Sequence, residues 1–181
     1  MANEVGVDNK TIDSWLSVLE SSFVIFRLKP YYKNYNKRLV KMPKLYFYDT
    51  GLACSLLGIR SKKDIAYHPL RGNIFENYII GEFFKLYFNK GLRPNLFFWR
   101  DNVGNEIDLI MEDTNRIIPV EIKSGQTIHD EFFKGLKFWQ KISHQESGYL
   151  IYGGEQVQTR SKGITVLPWN RFIEHLTAQF E

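Results

Sequence analysis

Two short apolar stretches carry charges where a strand normally buries side chains. In EIDLIM (106–111) the central acid is Asp108, and in PVEIKSG (119–125) Glu121 and Lys123 flank Ile122. Alternate residues of a strand point to opposite faces, so Val120 and Ile122 go one way and Glu121 and Lys123 the other. Two readings of that ionic face stand open. In the first it is a solvated face, with a Glu/Lys pair worth about 0.2–1 kcal/mol. In the second, Asp108 and Glu121 converge from neighbouring strands on one hard cation, with Lys123 beside it. Mg²⁺ takes oxygen ligands in an octahedron and keeps several waters, so two carboxylates and the backbone carbonyl of Ile122 suffice as protein ligands. Such a cation polarises a phosphodiester oxygen and activates water. Lys123 would orient that water or steady the anionic transition state.

The elements that must position these residues follow one another clearly. In RGNIFENYIIGEFFKLYF, the stripe Ile74, Phe75, Tyr78, Ile79, Phe83, Leu86 predicts a long amphipathic helix ending near Gly91. LFFWR, EIDLIM and IIPVEIKSG then read as three strands separated by the turns DNVGN and EDTNR, an antiparallel meander. A helix over Phe132 to Ile142 provides a crossover, so the fourth strand, GYLIYGG, is expected to add in parallel. GITVLPW reads as a fifth strand, Arg171 to Phe180 as a closing helix, and GGEQVQTRSKG as a polar turn. The result is an α/β fold, a mixed β-sheet flanked by helices.

Residues 1–60 read as a separate segment ahead of this 61–181 domain. Ile12, Trp15, Leu16 and Leu19 recur at helical spacing behind a cap at Asp8 or Asn9. Two strands, FVIFRL and KLYFYD, follow with a polar loop between them, a partial winged helix-turn-helix pattern.

Composition sets outer limits. The 181 residues, 44% hydrophobic and 15% aromatic, describe a globular chain able to bury a sizeable core. A net charge of +4 favours an anionic partner only mildly. The single Cys54 excludes an internal disulfide. No apolar run reaches the roughly 18 residues of a membrane span. A cytoplasmic location is the expectation.

The order αβββαβ, with an acid in the second strand and E-x-K in the third, resembles the PD-(D/E)xK nuclease-like superfamily and its restriction-endonuclease-like core. The motif residues here are Asp108, Glu121, Ile122 and Lys123. The whole chain resembles more closely the C-terminal domain of unknown function that follows the P-loop domain in many prokaryotic AAA-type ATPases. The stretches that carry this are VGVDNKTIDSWLSVLE, PKLYFYDTGL, RGNIFENYI, FWRDNVGNEIDLI and PVEIKSG. The residue before Asp108 is Ile107 and not Pro, and no P-loop sequence occurs, which implies a P-loop ATPase domain outside this chain.

The resemblance implies a Mg²⁺- or Mn²⁺-dependent phosphodiesterase acting on DNA, with Glu76 of the long helix as a further acid facing the metal. Its alternative is a catalytically silent DNA-binding or partner-docking domain that regulates an ATPase. Arg71 and Arg100 are candidate phosphate contacts or charge-balancing partners of the carboxylates. Tyr31, Tyr32 and Tyr35 are interleaved with Lys33, Lys37 and Arg38, a pattern that suits base stacking and phosphate contacts or an exposed wing. His68, His129, His144 and His175 show no metal-ligand spacing.

Overall fold

A computed structural model describes residues 6–33, 35, 39–113 and 116–177. Helix α1 (Asn9–Ser21) begins where the side chain of Asp8 accepts the Thr11 amide at 2.9 Å. Strands β1 (Ile25–Pro30) and β2 (Lys44–Phe47) follow, then two short helices, α2 (Thr50–Leu56) and α3 (Lys62–Tyr67), capped by Asp49 and Ser61. The long helix α4 (Arg71–Asn89) leads into β3 (Leu96–Arg100), β4 (Glu106–Asp113) and β5 (Arg116–Lys123). A 3-10 turn at Asp130–Phe133 runs into α5 (Lys134–Ser143), followed by β6 (Gly148–Tyr152), β7 (Gln158–Arg160), β8 (Ile164–Pro168) and α6 (Phe172–Thr177).

Among the described residues, the eight strands join one mixed sheet in the order β2-β1-β3-β4-β5-β6-β8-β7. The β3-β4-β5 meander is antiparallel and β6 adds to β5 in parallel, as the crossover helix requires. The hairpin expected as a wing is the edge of this same sheet. β1 pairs antiparallel with β2 and, through Lys29 and Pro30, parallel with β3. Its apolar residues make this placement favourable: Phe26 and Leu28, on one face, pack under Ile80 and Phe83 of α4 in a shared core. The polar stretch 153–163 contains the three-residue strand β7.

Each face of the sheet has its own core. Val120, Ile122, Leu109 and Met111 lie with α4 on one side. Ile110, Leu150 and Val166 lie with Leu136 and Trp139 of α5 on the other. The parity of β4 breaks at one point. Phe97 is opposite Ile110 but Trp99 is opposite Ile107, a bulge that gives β4 an extra residue around Asp108 and Leu109. Ile107 therefore joins Ile110 in the α5-side core although the two are an odd three positions apart.

Candidate functional site

The bulge sets the position of Asp108. Continuing the β4-β5 register beyond Leu109 and Val120 brings Asp108 opposite Glu121. There the Asp108 carboxylate, through Oδ2, accepts the Ile122 amide at 2.8 Å. Lys123, the last residue of β5, donates from Nζ to Glu121 Oε1 at 2.6 Å and to Asp108 Oδ2 at 3.4 Å. Asp108 and Glu121 are each only 7% exposed, so the ionic face of β5 is not a solvated one. It is covered by α5: a Cβ added to Gly135 would stand 2.7 Å from Glu121 Oε2.

A second group of charges meets the first from the α4 side. Glu76 Oε1 accepts from Tyr46 OH at 2.5 Å and from Lys44 Nζ at 2.9 Å. Lys44 also pairs with Glu106, which is 3.7 Å from the Arg100 Nε. Its ammonium lies 5.5 Å from the centroid of the Phe98 ring. Asp108 is the electrostatic link between the groups, acting on Glu76, Lys44 and Tyr46 on one side and on Glu121 and Lys123 on the other.

Burial and crowding move the acids away from their usual range. Burial, then the Asp108 charge, pushes Glu121 up to about 8 against the opposing pull of Lys123. The same two causes raise Glu76, with Lys44 and Tyr46 opposing. Burial pulls both lysines downward, but the carboxylates outweigh it, led by Glu76 at Lys44 and by Asp108 at Lys123, and hold both above their ordinary value. Tyr46 is raised by burial and then by Glu76, which keeps it a hydrogen-bond donor.

Glu121 Oε2 is buried with no hydrogen-bond partner. An ionised oxygen in that position calls for a cation or a proton. Asp108 and Glu121 fit a hard cation that retains most of its own waters, because Mg²⁺ is commonly bound through one or two carboxylates. Glu76 is committed to Lys44 and Tyr46, and a role as metal ligand would require Lys44 to withdraw. Among the described residues no group of three or more His, Cys, Asp or Glu is arranged to hold a metal ion. Ile122 meets the site through its amide, which is given to Asp108, while its side chain lies in the α4-side core.

Among the described residues, Arg71 and Arg100 are both engaged within the fold. The Nη2 of Arg71 donates to the Ser124 carbonyl at 3.0 Å, clamping the end of β5 to the start of α4. Arg100 balances Glu106. Tyr31 is buried against Phe97 and Trp139 and donates to Glu112 Oε1 at 2.9 Å, and the Tyr35 ring meets Trp139 edge-on at 5.2 Å. These two tyrosines are core cover and not base-stacking platforms. Tyr32 is exposed. The carbonyl of Lys33 accepts from Trp99 Nε1 at 3.3 Å and its ammonium lies over Tyr35. Lys37 and Arg38 lie outside the described residues.

Lys44 and Tyr46 are members of the network that sequence reasoning did not single out. The signal was present in KLYF, where a lysine and a tyrosine share one face of a short strand.

The fold and the strand-end network define an α/β domain with a mixed eight-stranded sheet and a buried acid–lysine site. The chain belongs to the family described as domain of unknown function (DUF4143), whose profile matches residues 71–172. A second domain of unknown function, DUF8612, matches residues 1–63. The chain is similar to the uncharacterized protein Rv2008c of Mycobacterium tuberculosis, with 32% identity over 128 residues, 70% of this chain and 28% of that protein. The uncharacterized protein Mb2031c of Mycobacterium bovis matches with the same figures. The matched stretch is thus little more than a quarter of the length of these relatives. No solved structure matches the chain. Among the described residues, no helix is long and apolar enough to cross a membrane.

Proposed function

We propose that this chain is a nuclease-like domain with a PD-(D/E)xK-type core that hydrolyses phosphodiester bonds in DNA, using Mg²⁺ or Mn²⁺ held by Asp108 and Glu121. The observation that carries the reading is the triangle at the end of β5. Lys123 Nζ reaches both carboxylates, and the second oxygen of Glu121 is buried and unpartnered. When bound, a divalent cation supplies Lewis acidity toward a phosphodiester oxygen and water. Lys123 keeps its proton throughout the neutral range, so its positive charge would be available to the phosphoryl oxygens as negative charge builds on them. The Asp108 carboxylate is oriented by the Ile122 amide, so its free oxygen has a fixed direction. Lys44 and Tyr46 hold Glu76 and so restrain repulsion among the acids.

The greater length of the curated relatives supports reading the chain as one domain of a larger protein, and we include a P-loop ATPase domain ahead of it in the proposal. Helix α1 with the β1-β2 hairpin is then a partial winged helix built onto the sheet edge. The two lysines that already balance the acids favour one second reading, a catalytically silent domain that regulates the ATPase.

The test is nicking of supercoiled plasmid by purified protein with Mg²⁺ or Mn²⁺. The expected result is cleavage that EDTA stops and Lys123→Ala abolishes. Equal cleavage by wild type and Lys123→Ala, or none by wild type with either metal, overturns the catalytic reading for the domain.

A further inference from the structure

A group of unpaired cations lies away from the acid site, on α5 and the β7-β8 turn. Lys134, Lys137 and Lys141 recur three and four residues apart and are all exposed, while Leu136 and Trp139 are buried. They therefore form one stripe on the outer face of α5, about 10 Å long. Arg160 and Lys162 approach from the β7-β8 turn. Lys137, Arg160 and Lys162 line a common cavity of about 510 Å³, in which Asp130 is the one acid. None of the five cations forms an ion pair with a carboxylate among the described residues, Asp130 included.

These cations are held in place. The Lys137 ammonium lies 5.8 Å from the Phe133 ring centroid and the Arg160 guanidinium 6.0 Å from the same centroid, so one ring draws on two like charges. Lys162 adopts a left-handed backbone, φ 61°, a conformation costly for a side chain of its kind. Its carbonyl is pinned by Gln140 Nε2 of α5 at 2.8 Å. Gly163 follows at φ 66°, where a Cβ would stand 2.3 Å from the Glu146 carbonyl oxygen. The turn is thereby locked against α5 with its two cations beside the lysine stripe.

We propose that this face is a track for the phosphodiester backbone of DNA. A small anion would be satisfied by two of these groups, whereas five cations spread over two elements match a polyanion. One strand of B-DNA carries a phosphate about every 3.4 Å of axis, so the α5 stripe alone spans about three. The track also has a direction. Lys134 adjoins Gly135, the residue against which Glu121 packs, so the stripe begins beside the acid site. That direction rests on the nuclease-like reading, while the binding itself does not.

The test measures anisotropy of labelled single-stranded and duplex oligonucleotides over a salt series in EDTA, where no cleavage occurs. Wild type is compared with a triple variant, Lys137→Gln, Arg160→Gln, Lys162→Gln, and with Lys63→Gln, an exposed lysine of α3, as a basic control. The expected result is wild-type binding that falls about a hundredfold or more at 0.1 M salt in the triple variant. Its log–log salt slope should be shallower by about 0.7–0.9 for each contact removed, with Lys63→Gln close to wild type. An unchanged affinity and slope in a folded triple variant, or no wild-type binding to either oligonucleotide, overturns the proposal. Loss of binding through this face in a protein that never cuts plasmid upholds the track and removes only the catalytic reading. Undiminished binding of the triple variant in a protein that does cut removes the track alone.

Discussion

The Asp108 carboxylate receives the backbone amide of Ile122 at 2.8 Å, so a side chain takes over a position that a strand ladder gives to a carbonyl. The bulge in β4 makes this possible and turns an acid inward between two strands. Structure and site are coupled at this bond, because the oxygen that satisfies β5 belongs to the same group that faces the neighbouring carboxylates.

Asp108→Ala removes that acceptor and leaves a buried amide unsatisfied, so a loss of about 1–3 kcal/mol is expected. Asp108→Asn keeps an oxygen for Ile122 and relieves the repulsion felt by Glu76 and Glu121, so a change below about 1 kcal/mol is expected. Urea unfolding of both variants checks the pair. Equal large losses would show that the charge, and not the acceptor, holds the strands.

Lys44 is shared by Glu76 and Glu106 in a largely buried setting. Lys44→Met keeps the stem but strands two acids, with a destabilisation on the order of 3 kcal/mol expected at pH 8. The loss should shrink as pH falls, because Glu76, raised by burial and by Asp108, takes up a proton more readily than an ordinary carboxylate. Adding Glu76→Gln to Lys44→Met should recover part of the loss in the double-mutant cycle.

Glu121 supplies a pH signature. Its folded value, about 8, lies above its unfolded value near 4.5, so the folded state holds the proton more tightly. The contribution is fully present below about pH 4.5, declines as pH rises, and is lost through about pH 8, at up to about 1.4 kcal/mol per pH unit. Glu121→Gln should remove this decline. The difference in unfolding free energy between variant and wild type, measured from pH 5 to 8.5 in EDTA, should therefore grow with pH. A difference independent of pH would contradict the placement of a crowded, buried carboxylate.

At most helix interiors Gly→Ala is stabilising by about 0.5–1 kcal/mol. At Gly135 the sign should reverse. A Cβ there would stand 2.6 Å from the Glu106 carbonyl oxygen and 2.7 Å from Glu121 Oε2, and the first of these cannot swing away. Gly135→Ala should cost about 1–3 kcal/mol by thermal unfolding, and a stabilised variant would show that α5 does not sit on the acids.

Much of this architecture is legible in the sequence because its signals are local. The Ile74 to Leu86 stripe gives α4, and turn residues delimit β3, β4 and β5. Glu121 and Lys123 declare themselves by standing in an apolar strand. What is not legible is non-local or sub-threshold. Nothing near KLYF says that Lys44 will meet Glu76, 32 residues away, since that depends on β1 adding beside β3. Strand β7 has no apolar residue, and its place in the sheet comes from its pairing with β8. The bulge has a trace in Ile107, Leu109, Ile110 and Met111, four apolar residues that a strict two-residue period cannot place on one face. Asp8 reveals a helix start, whereas the short helices capped by Asp49 and Ser61 carry no apolar stripe to announce them, and Tyr31 and Tyr35 look like part of a wing until Trp139 is known to lie against them.

The central claim is that Asp108 and Glu121 together hold a divalent cation, and a Mn²⁺ titration followed by melting temperature tests it most directly. At ten times its dissociation constant a bound ion stabilises the folded state by about 1.4 kcal/mol, a rise of roughly 3–6 °C for a chain of this size. The account predicts that rise in wild type and its absence in both Asp108→Asn and Glu121→Gln. A wild type indifferent to millimolar Mn²⁺, or variants that shift as wild type does, would contradict it.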